Sequence, residues 1–197
     1  VNAHPSSRFD VVAVAASAGG VQALSAFVRA LAADFPVPVL VVQHLDPAHD
    51  TTLADILDRR SELRVKLAEA GERAERGTVY LAPPGHHLVI DEHGDLSLSD
   101  SPRTNFVRPS ADVLFASVAR AYGARAIVCV LTGTGRDGAE GVREVLANGG
   151  TAIVEDPGTA QFDGMPRAAV DAGAADRVLP LPDISVAIAD LLAGSGP

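Results

Sequence analysis

The chain has 197 residues, of which 47% are hydrophobic but only 4% aromatic, and tryptophan is absent. That length is enough for one domain with a sizeable core, built mainly of Val, Leu, Ile and Ala. Sixteen basic against twenty-five acidic residues leave a net charge of −9, which argues against nucleic acid or an anionic membrane surface as the main partner.

Residues 1–8 are polar and read as a flexible tail ahead of a single domain over 9–193. Val11–Ala16 is an apolar run that predicts a buried strand. It stops at Ser17, passes Gly19 and Gly20, and enters a helical pattern with Leu24, Phe27, Val28 and Leu31 on one face. A serine at such a bend suits either a nucleophile or an anion site, and a plain capping turn is the bland alternative. Val37–Val42 predicts a second buried strand, ending in Gln43 and His44. A loop, 45–50, precedes a helix from about Thr52 to Arg60. Leu63–Ala68 and Thr78–Ala82 predict strands. Leu88–Ile90 and Leu96–Leu98 flank a His93-Gly94 turn and predict a hairpin. Ser110 is a good N-cap for a helix over Ala111–Tyr122, stopped by Gly123. Ala126–Leu131 is a strand, then a glycine-rich loop leads to a helix with Val142, Val145 and Leu146. Thr151–Val154 and Val178–Leu179 are strands around a short helix that starts near Pro166 and runs to about Asp171. Asp183 caps a last helix.

Alternating strands and helices predict a doubly wound, mostly parallel α/β sheet with helices on both faces and an antiparallel hairpin insertion. Ligands bind beyond the carboxyl ends of the strands in such folds. Ser17, His44 and the loop holding Asp137 all stand at strand ends, so the topology gathers them on one edge. A serine hydroxyl needs a base, histidine serves near neutral pH, and a carboxylate fixes the ring. His4, His49, His86, His87 and His93 compete for the base. His44, Asp46 and His49 make only a weak metal pattern. Cys129 lies inside an apolar run and is the one cysteine, which excludes a disulfide framework or a cysteine zinc cluster. No apolar run reaches a membrane span and no signal peptide is visible, so a cytoplasmic protein without membrane insertion is expected.

Gly133, Gly135 and Gly138 also match G-x-G-x-x-G between a strand and a helix, with Glu155 and Asp156 ending the next strand. That is a dinucleotide-binding signal. Against it, Asp137 would put a carboxylate into the phosphate loop, and the first strand–helix turn lacks the pattern.

From about residue 9 to 192 the chain resembles the catalytic domain of the CheB-type chemotaxis receptor methylesterases. The resemblance rests on ASAGG at 16–20, VVQHLDP at 41–47, APPGHHL at 82–88, RPSADVLFASVA at 108–119, LTGTGRDGAEG at 131–141 and GMPRAAVDAGAADRVLPL at 164–181. It implies a doubly wound α/β fold and hydrolysis of glutamate γ-methyl esters on the cytoplasmic helices of chemoreceptors, in some members with deamidation of glutamine. It implies Ser17 as nucleophile, His44 as base and Asp137 as its partner, and calls for no cofactor and no metal. Backbone N–H groups near Ala18, Gly19 and Thr134 are the candidates for an oxyanion site. Partners would be the methylated receptor helices and, if the chain is a free-standing domain and not an excised piece, a separate receiver or regulatory protein, since it starts about eight residues before the first strand, where the family usually carries a receiver domain. Two departures stand out: Ala15 replaces the usual glycine two residues before the serine, and Thr134 replaces a methionine. The alternatives are a non-catalytic or dinucleotide-binding regulatory module, or a serine hydrolase of another ester.

Overall fold

Each residue of β1 (Val11–Ala16) is buried, as a strand covered on both faces requires. The computed structural model describes residues 8–44 and 51–194. The expected tail with His4, and the loop with Asp46 and His49, fall outside those residues. After β1 come α1 (Gly20–Arg29), β2 (Val39–Gln43), α2 (Leu53–Asp58), β3 (Arg64–Leu67), β4 (Thr78–Leu81), β5 (His87–Ile90) and β6 (Leu96–Ser99). Then follow α3 (Ala111–Tyr122), a 3-10 turn over Gly123–Arg125, β7 (Ala126–Val130), α4 (Ala139–Ala147), β8 (Thr151–Glu155), α5 (Gly164–Asp171), β9 (Arg177–Leu179) and α6 (Leu181–Leu192).

Seven strands form one sheet in the order β3-β4-β2-β1-β7-β8-β9, and β5 and β6 form a separate pair. Every neighbour in the large sheet is parallel, and β5–β6 is antiparallel. The doubly wound expectation and the hairpin insertion therefore both hold. Strand periodicity divides the core into two layers. Val12, Val14 and Ala16 join Val39, Val41, Ile127 and Ile153 beneath α1 (Leu24, Phe27) and α6 (Ile184, Ile188). Val11, Ala13 and Ala15 join Leu40, Val42, Val128 and Val154 beneath α3 (Leu114, Phe115), α4 (Val142, Val145) and the hairpin (Leu88, Ile90, Leu96). Ala15 packs inside this second layer, so the methyl group that replaces glycine is accommodated.

Strand order reverses around β1, with β2 on one side and β7 on the other. The crevice at such a reversal, above the strand carboxyl ends, is where open α/β sheets bind ligands. One expectation at a helix end needs correction. α6 begins at Leu181 after Pro180, so Asp183 lies inside its first turn and is not the cap. A proline just inside a helix start needs no N–H partner, and Pro182 fills that place. Ser110 does cap α3, accepting from Val113 N–H. Among the described residues, no helix is long and apolar enough to cross a membrane.

Candidate active site

Ser17 and His44 each stand one residue past the last register pair of β1 and β2, Ala16 with Gln43. Neighbouring strands are about 5 Å apart, so the two residues are lateral neighbours. His44 N–H donates to Ala16 O at 3.1 Å and extends that ladder. Ser17 N–H donates across to Thr132 O beyond β7, at 3.0 Å. The bend after Ser17 closes with Gly20 N–H donating to Ser17 O at 2.8 Å.

Gln43 clamps the two residues from behind. Its Nε2 donates to Ser17 O at 2.8 Å and to His44 O at 3.0 Å. Its Oε1 is buried and, among the described residues, has no hydrogen-bond partner. A Cβ at position 20 would come 1.9 Å from that oxygen, so the start of α1 can lie against Gln43 only because residue 20 is glycine. Gly133 serves likewise: a Cβ there would meet Met165 Sδ at 2.3 Å and Ser17 Cβ at 2.9 Å. Replacing Gln43 by glutamate would set a buried carboxylate against two carbonyl oxygens. Loss of at least about 2 kcal/mol of stability is expected, read as a lower midpoint in urea unfolding.

His44 Nε2 and Asp137 Oδ2 are 2.8 Å apart. The two side chains are 12% and 3% exposed, so water screens this pair weakly. Asp137 is held from the far side as well. Its Oδ1 accepts from Ser110 Oγ at 2.6 Å, and its Oδ2 accepts from Ala111 N–H at 2.6 Å. Longer bonds to Oδ1 come from Asp112 N–H and Asn105 Nδ2, both at 3.3 Å. Burial alone would raise the pKa of Asp137, but the hydrogen bonds from His44, Ser110 and Ala111 outweigh it and hold the carboxyl below its ordinary value. The carboxylate thus sits on the N-terminus of α3, where helix N–H groups and the macrodipole favour an anion. An ionised carboxylate only accepts, so it fixes the proton of a neutral His44 ring on Nε2 and leaves Nδ1 as the acceptor. Serine proteases use the two ring nitrogens the other way round.

Asp112 lies beside this pair. Its Oδ1 accepts from Gly138 N–H at 2.9 Å and Gly141 N–H at 2.8 Å, at the start of α4. Burial raises its pKa, those backbone bonds lower it in part, and the charge on Asp137 pushes it up again. This geometry disposes of the dinucleotide fingerprint. The helix N-terminus that would take a phosphate is already occupied by a carboxylate of the protein. Glu155, the acidic residue of that motif, turns inward and accepts from Thr132 N–H at 2.6 Å. Burial raises its pKa.

The competing histidines lie elsewhere. His87 is fully buried. It bridges Ser110 N–H and Pro102 O through its two nitrogens, at 3.1 and 3.2 Å. It supports Ser110 and, through it, Asp137. His86 pairs with Asp100 at 2.7 Å, and His93 is exposed beside Glu92. Among the described residues, no group of three His, Cys, Asp or Glu side chains is arranged to hold a metal. Cys129 is buried in β7, and burial pushes its thiol pKa up. Ala18 and Gly19 precede α1, and among the described residues their N–H groups have no acceptor. The same holds for Thr134, which is exposed. Sequence reasoning missed Gln43, Asn105 and Asp112 as parts of the site. Ser110 was visible only as a helix cap.

A model of the CheB methylesterase family matches residues 12–188. The chain belongs to that family. It is 45% identical over 185 residues to a protein-glutamate methylesterase/protein-glutamine glutaminase of Anaeromyxobacter dehalogenans, covering 94% of this chain and 54% of that protein. A relative from Moorella thermoacetica with the same description is 41% identical, over 95% of this chain and 45% of its own length. The chain thus spans about half the length of these curated relatives. A shorter relative from Leptospira interrogans, described as a putative member, is 38% identical over 90% of this chain and 92% of its own length. The crystal structure of the Thermotoga maritima CheB methylesterase catalytic domain superposes with a TM-score of 0.89 at 38% identity. That match covers 93% of this CheB-family chain and 98% of the other.

Proposed function

We propose that the protein hydrolyses glutamate γ-methyl esters on the cytoplasmic helices of chemoreceptors through Ser17, His44 and Asp137. One observation carries the proposal: a buried 2.8 Å His44–Asp137 bond stands at the reversal point of the sheet, where the β1–β2 register puts Ser17 one strand over from His44. The names of the relatives support the ester class, a methyl ester of protein glutamate.

In this mechanism Ser17 Oγ attacks the ester carbonyl while its proton passes to His44 Nδ1. Asp137 stabilises the imidazolium that forms. The carbonyl oxygen becomes an oxyanion facing the uncommitted N–H groups of Ala18, Gly19 and Thr134. The C–O bond to the methoxy group breaks, and methanol leaves with the proton from His44. A water molecule then gives a proton to His44 and attacks the glutamyl-serine ester. Cleavage of that ester frees the glutamate carboxylate and returns the proton to Ser17. A glutamine side chain would follow the same path with ammonia as the leaving group, in keeping with the double description of the relatives.

The test is methanol release from methyl-labelled chemoreceptor membranes. The protein is expected to release methanol and to form a trapped glutamyl-Ser17 adduct on rapid acid quench. No release would sink the receptor methylesterase proposal. Labelling of Ser17 by a fluorophosphonate in that event would leave a hydrolase of another ester.

A further inference from the structure

Phe106 occupies a position where a glycine would serve the fold better. The residue is 93% exposed. With Asn105 it forms the tip of a two-residue turn, in which Thr104 and Val107 exchange both backbone hydrogen bonds, at 3.2 and 3.0 Å. Both tip residues have positive φ, 51° and 66°, as a type I′ turn requires. Asparagine tolerates that conformation, but phenylalanine is strained in it. Backbone strain and an aromatic ring in water are thus combined at one residue, and strain of this kind gathers at functional sites.

The turn is tied to the site. Asn105 Nδ2 donates to Asp112 Oδ2 at 2.6 Å and to Asp137 Oδ1 at 3.3 Å. Phe106 is thus one residue from the amide that reaches Asp137, which puts it at the margin of the site. Two other exposed apolar side chains belong to the same edge. Val21 is in the first turn of α1, just after Ser17. Phe162 bonds through its backbone to Thr132 Oγ1 and to Gly133 N–H. Among the described residues, the remaining exposed large hydrophobics are Val178 and Val186, on β9 and α6.

We propose that Phe106 is a specificity-determining residue that docks an apolar side chain of the polypeptide carrying the ester. This rests on the methylesterase proposal. A glutamyl side chain is short, so the backbone bearing it must descend to the rim before its ester reaches Ser17. A free small ester brings no such neighbour. The net charge of −9 gives no long-range attraction for an acidic polypeptide, which leaves apolar contact at the rim to hold the substrate. An exposed aromatic anchor suits that task, because it offers large contact area at low entropic cost.

The test compares steady-state methanol release from methyl-labelled chemoreceptor membranes by the parent, Phe106→Gly and Phe106→Tyr. Phe106→Gly is expected to raise KM about tenfold with a smaller fall in kcat, and Phe106→Tyr to bring KM back to within about twofold. A parent that releases methanol and a glycine variant whose KM does not rise, or whose loss is confined to kcat, overturn the docking role alone. A parent that releases no methanol overturns the methylesterase proposal and this one with it. Thermal unfolding separates contact from fold. Glycine suits the turn, so Phe106→Gly is expected to unfold no lower than the parent, and a lower Tm would assign the ring a structural role instead.

Discussion

Replacing Ser17 by alanine is expected to lower turnover of the methyl ester by about 10⁵–10⁶-fold while leaving the fold in place. The substitution removes one atom, the hydroxyl oxygen. The backbone of residue 17 stays pinned by Thr132 O, by Gly20 N–H and by the Gln43 amide, and none of these bonds uses the side chain. The Cβ that packs against Gly133 is retained. Stability should therefore change by no more than about 0.5 kcal/mol, and Tm serves as the control. KM should stay near the parent value, since the groups that hold the polypeptide are untouched. The adduct expected from the parent on acid quench should not form. An alanine variant that keeps more than about one hundredth of the parent rate would show that water, and not Ser17, attacks the ester. His44 would then act on water directly, and the acyl-enzyme step would be discarded.

The strands were legible because a parallel sheet covered on both faces writes itself as unbroken apolar runs. β1, β2, β7 and β8 all fall within a residue or two of the expected limits. Ser17 and His44 were legible for a related reason: each ends such a run, and the topology directs strand ends to one edge. The glycine-rich loop was ambiguous, because a phosphate cradle and an aspartate-presenting turn share the strand–glycine–helix pattern. What separates them is Asp112, which fills the start of α4 from 26 residues away, on α3. No local pattern announces that contact. Asn105 is hidden in the same way, since its amide meets Asp137 at a separation of 32 residues. Gln43 looked like the last residue of a strand. Its buried side chain gains meaning only once β1 lies alongside and supplies Ser17 O. His87 shows the opposite error. As one of six histidines it competed for the role of base, yet burial commits both its nitrogens to backbone groups.

Asp137→Asn is expected to lower kcat by about 10⁴-fold and to cost about 1–2 kcal/mol of stability. An amide has one acceptor where the carboxylate has two, and every partner of Asp137 is a donor. With its NH₂ toward His44 and Ala111 N–H, the asparagine faces two donors. The ring then moves its proton to Nδ1 and can no longer accept one from Ser17. With its NH₂ toward Ser110, the hydroxyl can rotate to accept, but the Asp112 and Asn105 donors are opposed and the imidazolium has lost its counter-charge. Either orientation weakens the anion on the start of α3. The pH dependence has a definite sign. The folded pKa of Asp137 lies below its ordinary value, so its contribution is present above an unfolded pKa of about 3.9 and is lost as pH falls through the folded value. Asp112 acts in the other direction. Its raised folded pKa makes its ionisation costly, so it removes stability as pH climbs from the unfolded value through the folded one. The parent should therefore show an acid-unfolding limb extending below pH about 4 that is shallower in Asp137→Asn, measured by urea unfolding across pH 2–6. An asparagine variant with the parent's acid limb and a kcat within tenfold of the parent would remove Asp137 from both roles, leaving the buried bond to His44 as packing alone.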